Sequence, residues 1–145
     1  MITTPAHTTE ESAVASTPAP VPTDTRSWLA ERVSSETAAL LGATWYVLFM
    51  IGTALEPRIA EPQPGWLAAL GFVFFGVLAV AAAGLLARRR WGVLASLGGA
   101  GIFTAFSVAC PVSGHHPLAV WWFGQMACAL GLVAASVFAL RRPAA

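Results

Sequence analysis

Four stretches of this chain, residues 38–55, 66–87, 91–110 and 118–140, contain no Asp, Glu, Lys or Arg. A helix crosses the hydrocarbon core of a bilayer in about 20 apolar residues at about 1.5 Å each, and all four stretches have roughly that length. Lipid offers a backbone no hydrogen bonds, so a spanning segment must satisfy its amides internally, as a helix does. The alternating pattern of a membrane β-barrel is missing. The composition leaves no soluble alternative: 57% of the residues are hydrophobic and 10% charged, against about 25% charged in soluble domains. The expected fold class is all-α integral membrane: an up-down four-transmembrane-helix bundle with a disordered N-terminal tail.

The segments around the runs complete the organisation. Residues 1–24 are rich in Thr, Pro, Ala and Ser, with Pro5, Pro18, Pro20 and Pro22. They bury too little apolar area to offset their ordering entropy and are expected to be a disordered cytoplasmic tail. No apolar h-region of a signal peptide precedes residue 38. Residues 25–37 place Trp28, Leu29 and Val33 on one side of a short interfacial helix, with Trp28 at headgroup depth. Residues 38–142 form the four-helix transmembrane domain. Its connections are Glu56–Gly65 with three prolines, the arginine turn Arg88–Arg90, and Pro111–Pro117.

Charge sets the orientation. The chain has eight arginines, no lysine and a net charge of +1. Arg26, Arg32, Arg88, Arg89, Arg90, Arg141 and Arg142 share one side of a four-span topology, and Arg58 stands alone on the other. The positive-inside rule then puts both termini in the cytoplasm. Trp66, Trp91, Trp121 and Trp122 fall near span ends, where aromatic belts lie, whereas Trp45 is deeper and reads as a packing residue. The arginines sit in short clusters at span ends, so no nucleic-acid surface is expected. An Ala-rich, Arg-only composition points to a GC-rich bacterial source and hence to an inner membrane.

Small residues mark where helices meet. Gly92, Ser96, Ala100 and Thr104 recur every fourth residue, with Gly98–Gly101 adding smoothness, and Gly76, Val80 and Gly84 make a second stripe. Such spacing lets backbones approach closely. The plain expectation is packing within one chain; the sharper one is a homo-oligomer or a larger membrane complex built through these faces.

No span carries an ionisable side chain other than cysteine, which disfavours a proton-coupled transporter or a multidrug pump. Gln125 and Thr104 are the notable polar groups at depth, suited to bonding across helices. The remaining candidate is Ala109–Pro117, "ACPVSGHHP". As a turn it is self-explanatory: Pro111 ends the third helix at Cys110, Gly114 allows the reversal, and Ser113 or His116 caps the fourth helix. As chemistry it collects Cys110, His115 and His116, ligand types for a zinc or copper ion, with Glu56 and Glu61 brought to the same face as extra ligands. Adjacent side chains diverge, so His115 and His116 seldom share one ion, and the spacing matches no standard zinc signature. Cys110 is expected at the surface, free to bridge to a second chain. Cys128 lies about ten residues into the last span, roughly 15 Å deeper, too far for a disulfide with it. Two readings follow. One is a non-enzymatic accessory or scaffold subunit of a bacterial inner membrane, with the lipid bilayer as its solvent. The other is a metal- or redox-active membrane protein with an outward-facing Cys/His site.

Overall fold

The computed structural model describes residues 25–57, 65–113 and 118–143. Five helices fill them: α1 (Thr25–Ala30), α2 (Ser35–Leu55), α3 (Gly65–Leu86), α4 (Arg90–Val112) and α5 (Val120–Arg141). The last four are long and apolar enough to cross a membrane. Large apolar side chains, Tyr46, Phe72, Phe75, Val120 and Phe138 among them, cover the outside of the bundle. In water such a surface would be an aggregation liability; in lipid it is solvated. The chain is a multi-pass membrane protein. The N-terminal tail expected over residues 1–24 lies outside the described residues.

The helices form a ring in the order α2, α5, α4, α3, which closes only loosely between α3 and α2. Side-chain size accounts for the difference. At the arginine end, Gly84 of α3 and Gly92 of α4 lie backbone on backbone, and a Cβ on either would overlap the other's main chain. Between α2 and α3 the facing residues are bulky. The Phe49 and Phe74 rings stand 5.7 Å apart and hold the two backbones at arm's length. Consecutive helices with a long, proline-rich connection are free to separate, and these do.

The small-residue stripe of α4 packs inside the chain: Gly92, Ser96, Gly99 and Ala100 are buried. The stripe drawn through α3 does not. Gly84 is buried, but Gly76 is exposed with open space around it and Val80 faces outward. One polar thread crosses the core. The Trp45 indole N–H donates to Ser96 Oγ at 2.5 Å, and Ser96 Oγ shares a hydrogen with Ser136 Oγ at 2.9 Å, so α2, α4 and α5 are joined about two turns in from the arginine end. Thr104 was expected to bond across helices; its hydroxyl instead donates to Ala100 O of its own helix at 2.8 Å.

The interfacial segment also differs from expectation. The short helix stops at Ala30, and residues 35–37 belong to α2. Ser34 causes the split: its hydroxyl accepts the Thr37 N–H at 3.1 Å, which caps a new helix. The residues between run extended across the α3–α4 turn. Val33 N–H donates to Arg88 O at 2.8 Å and Arg90 N–H to Glu31 O at 3.2 Å. Arg90 gathers this end together. Its Nε pairs with Glu31 at 2.8 Å, its guanidinium lies 5.1 Å from the Trp28 ring centre, and its Nη2 donates to Arg142 O at 3.3 Å.

Candidate functional site

The opposite end of the bundle is built around a proline. Pro111 has no N–H, so the carbonyl four residues earlier, Ser107 O, loses its helical donor. A helix was expected to stop there, at Cys110; α4 instead runs on to Val112. The reason is Trp122 of α5, whose indole N–H donates to Ser107 O at 2.7 Å. Neighbouring helices commonly rescue a freed carbonyl in this way within membranes. Ser113 ends α4 rather than starting α5: its N–H reaches Ala109 O at 2.9 Å and its hydroxyl donates to Cys110 O at 3.0 Å. The N-cap of α5 is Ala119, with no side-chain cap.

With α4 continuing two residues beyond it, Cys110 faces inward. It is buried, which corrects the expectation of a surface thiol. It lines a hollow of about 190 Å³ that all four long helices bound. Phe49, Phe74, Phe103 and Phe106 supply four ring walls, with Phe74 about 6.2 Å from both Phe103 and Phe106, centre to centre. Thr53 and Glu56 of α2 and Gln125 of α5 supply the polar part. The Thr53 hydroxyl already donates to Phe49 O at 2.9 Å. Gln125 is only 4% exposed, and its Oε1 has no hydrogen-bond partner.

Of the residues expected at a metal site, Cys110 and Glu56 line this hollow together. His115, His116 and Glu61 lie outside the described residues. Among the described residues no group of three His, Cys, Asp or Glu side chains is placed to hold a metal ion. Cys128 is a separate buried thiol, packed beside Gly52 in the core.

Sequence reasoning noted Gln125 but not its lack of a partner, and it missed Trp122 as a donor. The second has a legible signal: a proline four residues after Ser107 announces a carbonyl in need of one. The first has none, because an orphaned acceptor is a property of its neighbours.

The fold and this hollow define a class: a four-span helical membrane protein with a phenylalanine-walled hollow near one end. Comparison with protein-family models, with curated proteins and with solved structures finds no match to the chain, so its residues alone carry the functional argument.

Proposed function

We propose that the chain is a small multi-pass protein of a bacterial inner membrane, with both termini cytoplasmic, serving as a non-enzymatic accessory or scaffold subunit. The outer face of α4 carries this reading. Gly98 and Gly101 point away from the bundle with nothing within 4 Å of where a Cβ would lie, and Ala105 is exposed one turn further on. Lipid does not require small residues on a helix exterior; a second helix approaching closely does. The partner is a second copy or a larger membrane complex. Gly98→Ile combined with Gly101→Ile should release the protein from a discrete assembly to the monomer, read by single-molecule photobleaching in bilayers and by native gels of membranes. A wild-type protein that is already monomeric in both assays overturns the reading. The orientation rests on the seven-to-one arginine asymmetry. A reporter fused after Ala145 should behave as cytoplasmic, and an external signal reverses the topology.

One observation favours a second reading, a metal or redox centre. Cys110 and Glu56 share one hollow, and a thiolate and a carboxylate, joined by His115, His116 or Glu61, make a donor set suited to a zinc or copper ion. Purified protein should then hold stoichiometric metal that is lost in both Cys110→Ser and His115→Ala. Metal-free wild-type protein after zinc or copper loading removes this reading.

A further inference from the structure

We propose that the groove between α2 and α5 at the arginine end holds one anionic phospholipid, with its phosphate on the Arg142 guanidinium and an acyl chain along the groove. The argument starts from how Arg142 is held. Its Nη1 donates to Thr37 Oγ1 of α2 at 3.4 Å, and its guanidinium lies 4.8 Å from the centre of the Phe138 ring. Thr37 is fixed in turn: it is buried, and its hydroxyl oxygen accepts from Ser34 Oγ at 2.9 Å. Arg142 itself is half-buried and lines the groove. A guanidinium carries five N–H donors, and the Thr37 contact uses one of them.

Among the described residues no carboxylate pairs with Arg142. Glu31 is taken by Arg90 at 2.8 Å. Glu36 is exposed and does not line the groove, because adjacent side chains on a helix diverge by about 100°. The two arginines nearest in the fold spend donors on carbonyls, Arg89 on Ala30 O and Arg90 on Arg142 O. Arg142 therefore joins an uncompensated charge to an apolar channel. Its planar fork of donors matches a phosphate two bonds at a time, and basic pockets between membrane helices are where anionic headgroups bind.

Shape supplies the other half. The groove has a volume of about 110 Å³, walled by Leu40, Leu41 and Thr44 of α2 and by Ala135, Phe138 and Ala139 of α5. Ala135 and Ala139 stand one turn apart and leave the room that larger side chains would fill. Leu40 and Phe138 are each 61% exposed, so the groove lies on the outside of the bundle, where lipid is. From Arg142 to Ala135, and from Thr37 to Thr44, it follows the helices for about 10 Å at 1.5 Å per residue. A phospholipid carries its phosphate at the headgroup level and its chains toward the bilayer centre. The groove has its cation at the helix ends and its apolar walls further in, so the two agree in direction. A soluble anion would use only the arginine and leave the walls idle. This inference is independent of the scaffold and metal readings, since it uses neither the outer face of α4 nor the thiol.

The test is native mass spectrometry of the full chain in detergent micelles, with phosphatidylglycerol as probe and phosphatidylcholine of the same acyl chains as its zwitterionic counterpart. One phosphatidylglycerol per chain should be retained, bound about tenfold more tightly than phosphatidylcholine, which is the worth of a charge-assisted hydrogen bond. Arg142→Gln should remove that preference and leave phosphatidylcholine unchanged. Ala135→Leu fills the groove in a chain whose Arg142 is intact and should weaken both lipids. Arg88→Gln removes the same charge from the α3–α4 turn and should leave the preference in place. Equal binding of the two lipids, or a preference that survives Arg142→Gln, overturns the proposal. A preference lost equally in Arg88→Gln means diffuse attraction to the arginine end and overturns it too. Inorganic phosphate in excess should not displace phosphatidylglycerol; displacement identifies the anion alone as the ligand and overturns the lipid assignment.

Discussion

The junction of Pro111, Ser107 and Trp122 yields the sharpest prediction, because one carbonyl has two alternative donors. In the native chain Ser107 O receives the Trp122 indole N–H at 2.7 Å; with a residue other than proline at 111 it would receive that residue's backbone N–H. Trp122→Phe keeps a ring that can still lie against Phe123, whose centre is 5.1 Å from that of Trp122, but removes the donor. The carbonyl then has neither. The cost combines one lost hydrogen bond, about 0.5–1.5 kcal/mol, with an unsatisfied acceptor, about 1–3 kcal/mol. Interhelical bonds in membranes average nearer 0.6 kcal/mol, so about 1–2 kcal/mol is expected. Pro111→Ala alone should be near neutral. In the Pro111→Ala background, Trp122→Phe should cost only its lost packing. The double-mutant cycle should therefore show a coupling of about 1 kcal/mol, measured by reversible unfolding in mixed micelles and followed by helical circular dichroism. A Trp122→Phe cost that is the same in the native and the Pro111→Ala backgrounds refutes the reasoning, since it would mean that the indole packs but does not replace the missing amide.

Three further outcomes follow from the packing. Gly92→Ala drives a Cβ into the Gly84 backbone and should destabilise by about 2–3 kcal/mol or prevent folding, whereas Gly76→Ala, with open space beside it, should be neutral or gain up to about 1 kcal/mol of helix propensity in the same unfolding assay. Ser96→Ala leaves the Trp45 indole and the Ser136 hydroxyl without their shared partner and should cost about 1–3 kcal/mol, with a changed Trp45 emission. Arg90→Gln removes the Glu31 ion pair and the hold on Trp28; hydrogen exchange should quicken in α1 and the segment after it while the interior of α3 stays protected, and Arg90→Lys should rescue little, because an ammonium cannot match the spread of a guanidinium.

How much of this is legible in the sequence depends on the range of the interaction. The four spans are readable because lipid imposes a simple local condition, about twenty residues without charge, and each residue meets that condition by itself. Gly92, Ser96 and Ala100 are readable as a packing stripe because helical spacing is local too. Their partners are not. Gly84 belongs to the α3–α4 contact and Gly76 does not, although both are glycines on the same helix, since the choice depends on where α4 lies. The effect of Pro111 on Cys110 escapes local reasoning for a related reason. The rule that a residue before proline leaves the helix describes an isolated chain, and here Trp122, eleven residues further on, relieves the cost. That one long-range bond moves Cys110 from an exposed turn into a cavity wall. The arginines are readable only as a charge pattern. Arg90 also ties α1, α4 and α5 together through carbonyls and an ion pair, and a count of charges cannot reveal such geometry.

These contacts explain why the hollow lies where it does. The arginine end is closed by the Gly84–Gly92 approach and by Arg90, which leave no gap between α3 and α4 and pin α1 over their turn. About two turns further in, the Trp45–Ser96–Ser136 thread draws α2 toward α4 and α5, away from α3. Nothing comparable among the described residues draws α2 to α3 near Cys110; there the contact is through phenyl rings, which fill space without specifying a short distance. A bundle tied nearer the arginine end, and spaced by rings at the other, leaves the phenylalanine-walled hollow at the spaced end. The continuation of α4 through Pro111 to Val112 keeps Cys110 in one wall of that volume, with Gln125 of α5 in the next. The hollow is a consequence of how the rest of the fold is held together, so substitutions that loosen the arginine end, Arg90→Gln among them, should leave hydrogen exchange in α5 around Gln125 largely unchanged.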